Sequence, residues 1–306
     1  MLTILDRPDS SPLLPIIGKR AMKVWQKGKF MPFAELKDNV KIHYDLKGKG
    51  LEAARMNLAV VSNAAVLMAC RKEGFEPGEG SVAALLAANR PVLNYSYRGS
   101  GQSSVPKTLD EYSVAAYRGD TQQLLAQTGL GSVNMIGYSH GGYFAADYAL
   151  YYPSQVSTLV LVEPALFVDR AKLEARIRLT REGNGDGAIH LLMKQMMPEL
   201  AMNSSEYNAL VNDIKHNYPN PIGLAGEWYA RSTNEFGDNE LSQISVPTLI
   251  IGGTRSWVRE NIERAASVIP GAQHVRLDGT HNLMEEKPAE VAAAIESFLA
   301  AHNSKG

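Results

Sequence analysis

The stretch VNMIGYSHGGYFAADYA, residues 133–149, decides how this chain is read. It opens as an apolar run of strand type, VNMIGY (133–138), and passes without a spacer into small and aromatic residues of helix type. Ser139 stands at the junction, with Gly137 and Gly141 two places to either side. A serine on so sharp a turn is held in a cramped backbone conformation that lifts its hydroxyl above the strand, where side chains two residues away would collide. Glycines at those places remove the collisions, and Gly142 lets the helix approach closely. The N–H of His140, at the helix start, then points to where charge on a reacting oxygen would gather. Ser139 is the candidate nucleophile. The plainer alternative is a small-residue loop in a chain with 26 glycines, and it leaves the flanking strand and helix unexplained.

Outward from this turn, short apolar runs alternate with longer helical ones, the pattern of a mostly parallel sheet with crossover helices. Strands are expected at VKIHYDL (40–46), NLAVVS (57–62), PVLNYS (91–96), VNMIGY (133–138), STLVLVE (157–163), PTLIIGG (247–253) and HVRLDG (274–279). Helices are expected at SVAALLAAN (81–89), SVAAYRGDTQQLLAQTG (113–129), GYFAADYALYYP (142–153) and PAEVAAAIESFLAAH (288–302), the last with Pro288 at its start. The alternation breaks between about 165 and 243, where the chain turns helical and methionine-rich, with turns at GNGDG (183–187) and YPNPIG (218–223). This reads as a helical cap, and it divides the chain into an extension (1–35), a first core part (36–164), the cap (165–243) and a second core part (244–306).

Composition narrows the function classes. A net charge of −1 over 306 residues provides no field for nucleic acid. Cys70 is the only cysteine, so neither an internal disulfide nor a thiolate-rich metal site can form, and a cytoplasmic, reducing location is expected with no metal. Cys70 has no motif around it. Asp6 and Asp9 stand where a signal peptide needs positive charge, and LAVVSNAAVLMAC (58–70) is too short to span a bilayer, so no integral membrane segment is expected. Lys19, Arg20, Lys23, Lys27 and Lys29, interleaved with Ile16, Ile17, Met22 and Trp25, form a basic arm. It packs on its own domain or else serves a homodimer or surface contact.

With these motifs in place the chain resembles the α/β-hydrolase superfamily over about residues 36–306. Besides GYSHGG, the segment NYSYRGSGQSS (94–104) resembles the family's strand-end D-x-R-G-x-G-x-S at Arg98, Gly99, Gly101 and Ser103, with Ser96 where the family has Asp. GTHNLMEEKPAEVAAAIESFLAAH resembles the final histidine loop and closing helix. The resemblance implies an α/β fold, a mostly parallel sheet flanked by helices with an inserted helical cap. It also makes His281 the base that takes the proton from Ser139. His274 opens a strand, and His43, His190, His216 and His302 have no motif around them.

The sequence departs from the family at two further points. The acid expected after the seventh strand falls on Ser256 in GGTRSWVRE (252–260). Glu163, at the tip of the preceding strand, is the candidate in its place, with Asp278 and Glu260 as alternatives. Where the family has His-Gly after NLAVVS, this chain reads SNAAV (62–66), so the backbone of Ala64 would join that of His140 as an oxyanion donor, with Asn63 beside it. Asn63, Met193, Met196, Met197, Trp228 and Tyr229 are expected to line the substrate pocket. These residues imply a cofactor-independent serine hydrolase acting on a small apolar or amphipathic ester, thioester or lactone. Two alternatives stay open: an acyltransferase, cyclase, isomerase or C–C bond hydrolase using the same Ser/His pair, and a non-catalytic ligand-binding homologue.

Overall fold

The computed structural model describes residues 33–48, 58–62, 80–234 and 236–303. Eight strands among them, β1 (Phe33–Glu35), β2 (Lys41–Lys47), β3 (Leu58–Ser62), β4 (Val92–Tyr95), β5 (Val133–Tyr138), β6 (Val156–Val162), β7 (Thr248–Gly253) and β8 (Gln273–Leu277), form one sheet. Its order is β1-β2-β4-β3-β5-β6-β7-β8. The pairs β1–β2 and β2–β4 are antiparallel, and the remaining five pairs, from β4–β3 to β7–β8, are parallel. All residues of β5 and β7 are buried, as strands covered on both faces must be, which is why they read as unbroken apolar runs.

Helices α1 (Val82–Ala87), α2 (Val114–Thr128) and α3 (His140–Tyr151) follow the early strands. Ser113 caps α2 by accepting from the Ala116 N–H, and Gly129 ends it in the left-handed region at φ 72°. Four helices and a short turn lie between β6 and β7: α4 (Arg170–Arg181), α5 (Gly185–Met196), α6 (Ser205–Asn217), α7 (Pro221–Ser232) and α8 (Asp238–Leu241). After β7 come α9 (Arg259–Val268), α10 (Leu283–Glu286) and α11 (Pro288–Asn303). One core packs α2, α3 and α9 on one face of the sheet, and a second packs α1 and α11 on the other.

The helices between β6 and β7 have a core of their own, in which Leu173, Ile177, Ile189, Leu192, Met193 and Trp228 are buried together. Two details differ from the sequence reading. GNGDG is not wholly a turn: Gly183 takes φ 80°, Asn184 accepts the Gly187 N–H, and the remaining residues enter α5. Phe33–Glu35, at the end of the stretch read as the extension, pairs with β2 in the sheet. Residues 1–32, with the basic arm, and residues 63–79, with Asn63, Ala64 and Cys70, lie outside the described residues. Among the described residues no helix is long and apolar enough to cross a membrane, and no group of three or more His, Cys, Asp or Glu could hold a metal ion.

Candidate active site

Two non-glycine residues at neighbouring strand tips carry positive φ: Ser139 after β5 at 51° and Glu163 after β6 at 49°. Such conformations cost about 1–3 kcal/mol each and persist only where surrounding contacts enforce them. At Ser139 the enforcement is visible. Its N–H donates to Val162 O at 3.0 Å, and its carbonyl accepts the N–H groups of Gly142 (3.0 Å) and Ala165 (3.1 Å). A Cβ on Gly137 would stand 2.7 Å from Gly142 Cα, so the close strand-to-helix turn requires glycine there. Glu163 is fixed to β7 by its N–H, which donates to Ile251 O at 2.8 Å.

His281 comes from the loop after β8. Tyr138, the residue before Ser139, donates its hydroxyl to the His281 carbonyl at 2.7 Å, and the Thr280 N–H donates to Glu286 at 2.8 Å. The ring then lies with Nε2 2.9 Å from Ser139 Oγ and Nδ1 3.0 Å from Glu163 Oε2. With Nδ1–H donating to the carboxylate, Nε2 is left as the acceptor for the serine hydroxyl. Ser139, Glu163 and His281 are all buried.

Two further donors serve Glu163: the Gly253 N–H on Oε1 and the Ser256 hydroxyl on Oε2. The position where an acid was expected thus holds a hydrogen-bond donor to Glu163, one strand earlier. The other candidates point elsewhere. Asp278 pairs with the exposed Arg255 and accepts from Thr254, and Glu260 is exposed. His274 faces a small cavity beside Gly252, Arg259 and Arg276, while His190 meets the Tyr207 hydroxyl.

The His140 side chain makes a contact of its own. Its Nδ1 lies 2.7 Å from Oε1 of Glu227 on α7, whose Oε2 accepts the Tyr218 hydroxyl at 2.6 Å. Burial lowers the pKa of the imidazole even though Glu227 opposes the shift. Burial alone would raise that of Glu227, but His140, Arg231 and Tyr218 outweigh it and the net direction is downward. Arg231 donates to Ala165 O at 2.7 Å. Arg176, over the Trp228 ring, is pushed down to about 10, first by burial and then by Arg231.

The expected pocket residues divide. Met193 and Trp228, each 1% exposed, form the interior of the insertion's core because they sit on the inward faces of α5 and α7, a packing role in place of the lining expected. Met196 and Met197 pack partly buried against that core. Tyr229 lines a cavity of about 580 Å³ between α4 and α7, with Ile177, Arg178 and Arg181, and none of Ser139, Glu163 and His281 borders it. Exposed Trp257, which no motif marked, lies with its ring 4.7 Å from that of His281. The contacts of Ser256 with Glu163 and of Glu227 with His140 were also missed. A serine in the acid's place was the one available signal for the first, and nothing in GEWYARS marks the second.

Comparisons with known proteins agree with this architecture. The family model described as alpha/beta hydrolase fold matches residues 77–288. The 1-acylglycerol-3-phosphate O-acyltransferase ABHD5 of Sus scrofa is 39% identical over 90 residues, 29% of this chain and 26% of that protein. The monoacylglycerol lipase ABHD6 of Homo sapiens is 29% identical over 191 residues, 56% of each chain. The chain thus spans about a quarter and about half of the length of these relatives. The enol-lactonase from Burkholderia xenovorans LB400 superposes with a TM-score of 0.69 at 20% identity, covering 88% of this chain and 100% of that one, a likeness of fold.

Proposed function

The chain belongs to the alpha/beta hydrolase fold family, and from that premise we propose that it is a cofactor-independent serine hydrolase of a small apolar or amphipathic ester, thioester or lactone. The observation that carries the reading is the unbroken line from Glu163 through both nitrogens of His281 to Ser139 Oγ. Ser139 attacks the carbonyl carbon while His281 Nε2 takes its proton. Glu163 holds the tautomer and stabilises the imidazolium. The His140 N–H, at the start of α3, and the backbone of Ala64 hold the oxyanion. The leaving group departs with the proton from His281, and water, activated by the same nitrogen, releases the acid. Residues 165–243 act as a cap that shapes the substrate, with Met196 and Met197 as its flexible apolar contacts. The chain's single cysteine suits a reducing, cytoplasmic setting.

A second reading, transfer of the acyl group to an alcohol in place of water, is supported by the stretch shared with the Sus scrofa acyltransferase. Labelling with a fluorophosphonate, read by intact mass, tests both. Wild type is expected to gain one adduct that Ser139→Ala lacks. A wild type that takes no label leaves a non-catalytic ligand-binding homologue. Burst release of alcohol with stoichiometric acid marks hydrolysis, whereas a burst without acid, with product growing as an alcohol acceptor is added, marks transfer.

A further inference from the structure

Helix α7 meets the core with one face, Gly223, Gly226, Glu227, Ala230 and Arg231, spaced at i, i+3, i+4, i+7 and i+8. A Cβ on Gly223 would run into the Gly99 carbonyl, Gly226 lies against the Tyr112 ring, and Ala230 is buried in the main core. The helix backbone is therefore seated tightly before its two charged residues act. Arg231 Nη2 donates to Ala165 O at 2.7 Å, and the Ala165 N–H donates to Ser139 O at 3.1 Å. Glu227 Oε1 stands 2.7 Å from Nδ1 of His140, an ion-pair contact without a well-aligned hydrogen bond. The Ser139 carbonyl and the His140 N–H belong to a single planar peptide. α7 thus holds that peptide from both ends, the carbonyl through Ala165 and the following residue through its ring.

Resting on the serine-hydrolase reading above, we propose that Glu227 is a positioning residue: through His140 it fixes the peptide whose N–H stabilises the oxyanion, so the inserted helices must be seated for Ser139 to turn over. A buried carboxylate–imidazole contact is weak evidence for stability, because removing both groups from water offsets most of their attraction. Its placement at the elbow points to geometry as its use. An oxyanion donor is worth roughly a hundredfold to a thousandfold in rate, so a donor displaced but not lost should forfeit about ten- to a hundredfold.

The test compares wild type with Glu227→Gln, Glu227→Asp, His140→Gln and the Glu227→Gln/His140→Gln double variant on p-nitrophenyl butyrate, with fluorophosphonate labelling rates and circular-dichroism melts alongside. Glu227→Gln should lower kcat about ten- to a hundredfold with KM within about threefold, and the labelling rate should fall in parallel, since the interaction strengthens only as charge develops. Glu227→Asp should recover part of the loss. The double variant should be within about threefold of the worse single one, because the two residues act through one another. A Glu227→Gln kcat within about twofold of wild type, a change confined to KM, or full additivity would each overturn the proposal. Should Glu227→Gln fail to fold, His140→Gln, which keeps the backbone donor, decides in the same terms. A wild type that takes no label removes the parent reading and this one with it, whereas a labelled wild type matched by Glu227→Gln removes this one alone.

Discussion

At Glu163 three donors, the Gly253 N–H, the Ser256 hydroxyl and His281 Nδ1–H, converge on one fully buried carboxylate. A carboxyl group with no exposed surface needs its lone pairs occupied, and each of these donors also fixes its direction. Glu163→Gln is expected to lower ester turnover by about a thousand- to ten-thousandfold, because an amide can present N–H to His281 and hold the wrong tautomer. Ser256→Ala removes one donor and leaves the His281 contact, so about a tenfold loss is expected. Ser256 and His281 meet the same oxygen, so a carboxylate at 256 faces the ring from the other side. Glu163→Ala/Ser256→Asp should then recover at least about tenfold over Glu163→Ala, and steady-state kinetics showing no recovery would mean that position 256 does not reach His281. Ser139, His281 and Glu163, which meet in the structure, could be picked out as candidates because each lies at a strand tip or in a loop whose neighbours in sequence announce it. The part played by Ser256 could not be, because its partner lies 93 residues away and the pairing exists only once β6 and β7 are side by side.

The elements themselves were easier to read than their contacts. β4, β5, β6 and β7 stood out because strands covered on both faces read as apolar runs, whereas Phe33–Glu35 is three residues with only Ala34 turned inward and leaves no pattern. Helix α9 escaped because only Ile262 and Ala265 on it are buried, too few to make a stripe. In α3 an apolar run hides a charged residue: Asp147 is buried with Arg118 Nε 2.9 Å away, yet neither of its oxygens has a well-aligned hydrogen bond. Burial raises its pKa from 3.8 to about 7, more than Arg118 can offset. In the unfolded chain the carboxyl loses its proton near the ordinary value. Between there and the folded value the native state holds the extra proton, so stability falls as pH rises through that window. The shift corresponds to at most about 4 kcal/mol. Asp147→Asn cannot titrate, so the wild-type melting temperature should drop relative to the variant by several degrees between about pH 4.5 and 7.5. Parallel melting curves across that range would show that the Asp147 carboxyl is not shifted.

Across the whole molecule, the insertion and the sheet meet along α7, and the meeting is made by absent side chains. Gly99, at φ 84°, and Gly223 touch backbone to backbone, and the Gly101 N–H donates to Asn217 O at 2.7 Å. The loop that bears Gly99 is anchored from the core side by Arg98, which donates through two nitrogens to Asp120, both at 2.6 Å. A methyl group at position 223 cannot be accommodated by a side chain swinging away, because what it meets is the Gly99 carbonyl. The helix must lift or tilt instead, an overpacking that costs about 1–3 kcal/mol. For a chain of this size that lowers the melting temperature by about 1.5–2 °C for each kcal/mol. Because Glu227 and Arg231 ride on the same face, lifting α7 also draws them from His140 and Ala165. Gly223→Ala should therefore lose more turnover than its melting temperature accounts for, and proteases should cut between β6 and β7 sooner than in wild type. Gly183→Ala makes the control. Gly183, at φ 80°, has nothing near its missing Cβ, so a methyl there strains only its own turn, at about 1 kcal/mol, and should leave turnover unchanged. If both variants lose activity in proportion to stability alone, α7 is a wall of the fold and no part of the machinery at its base.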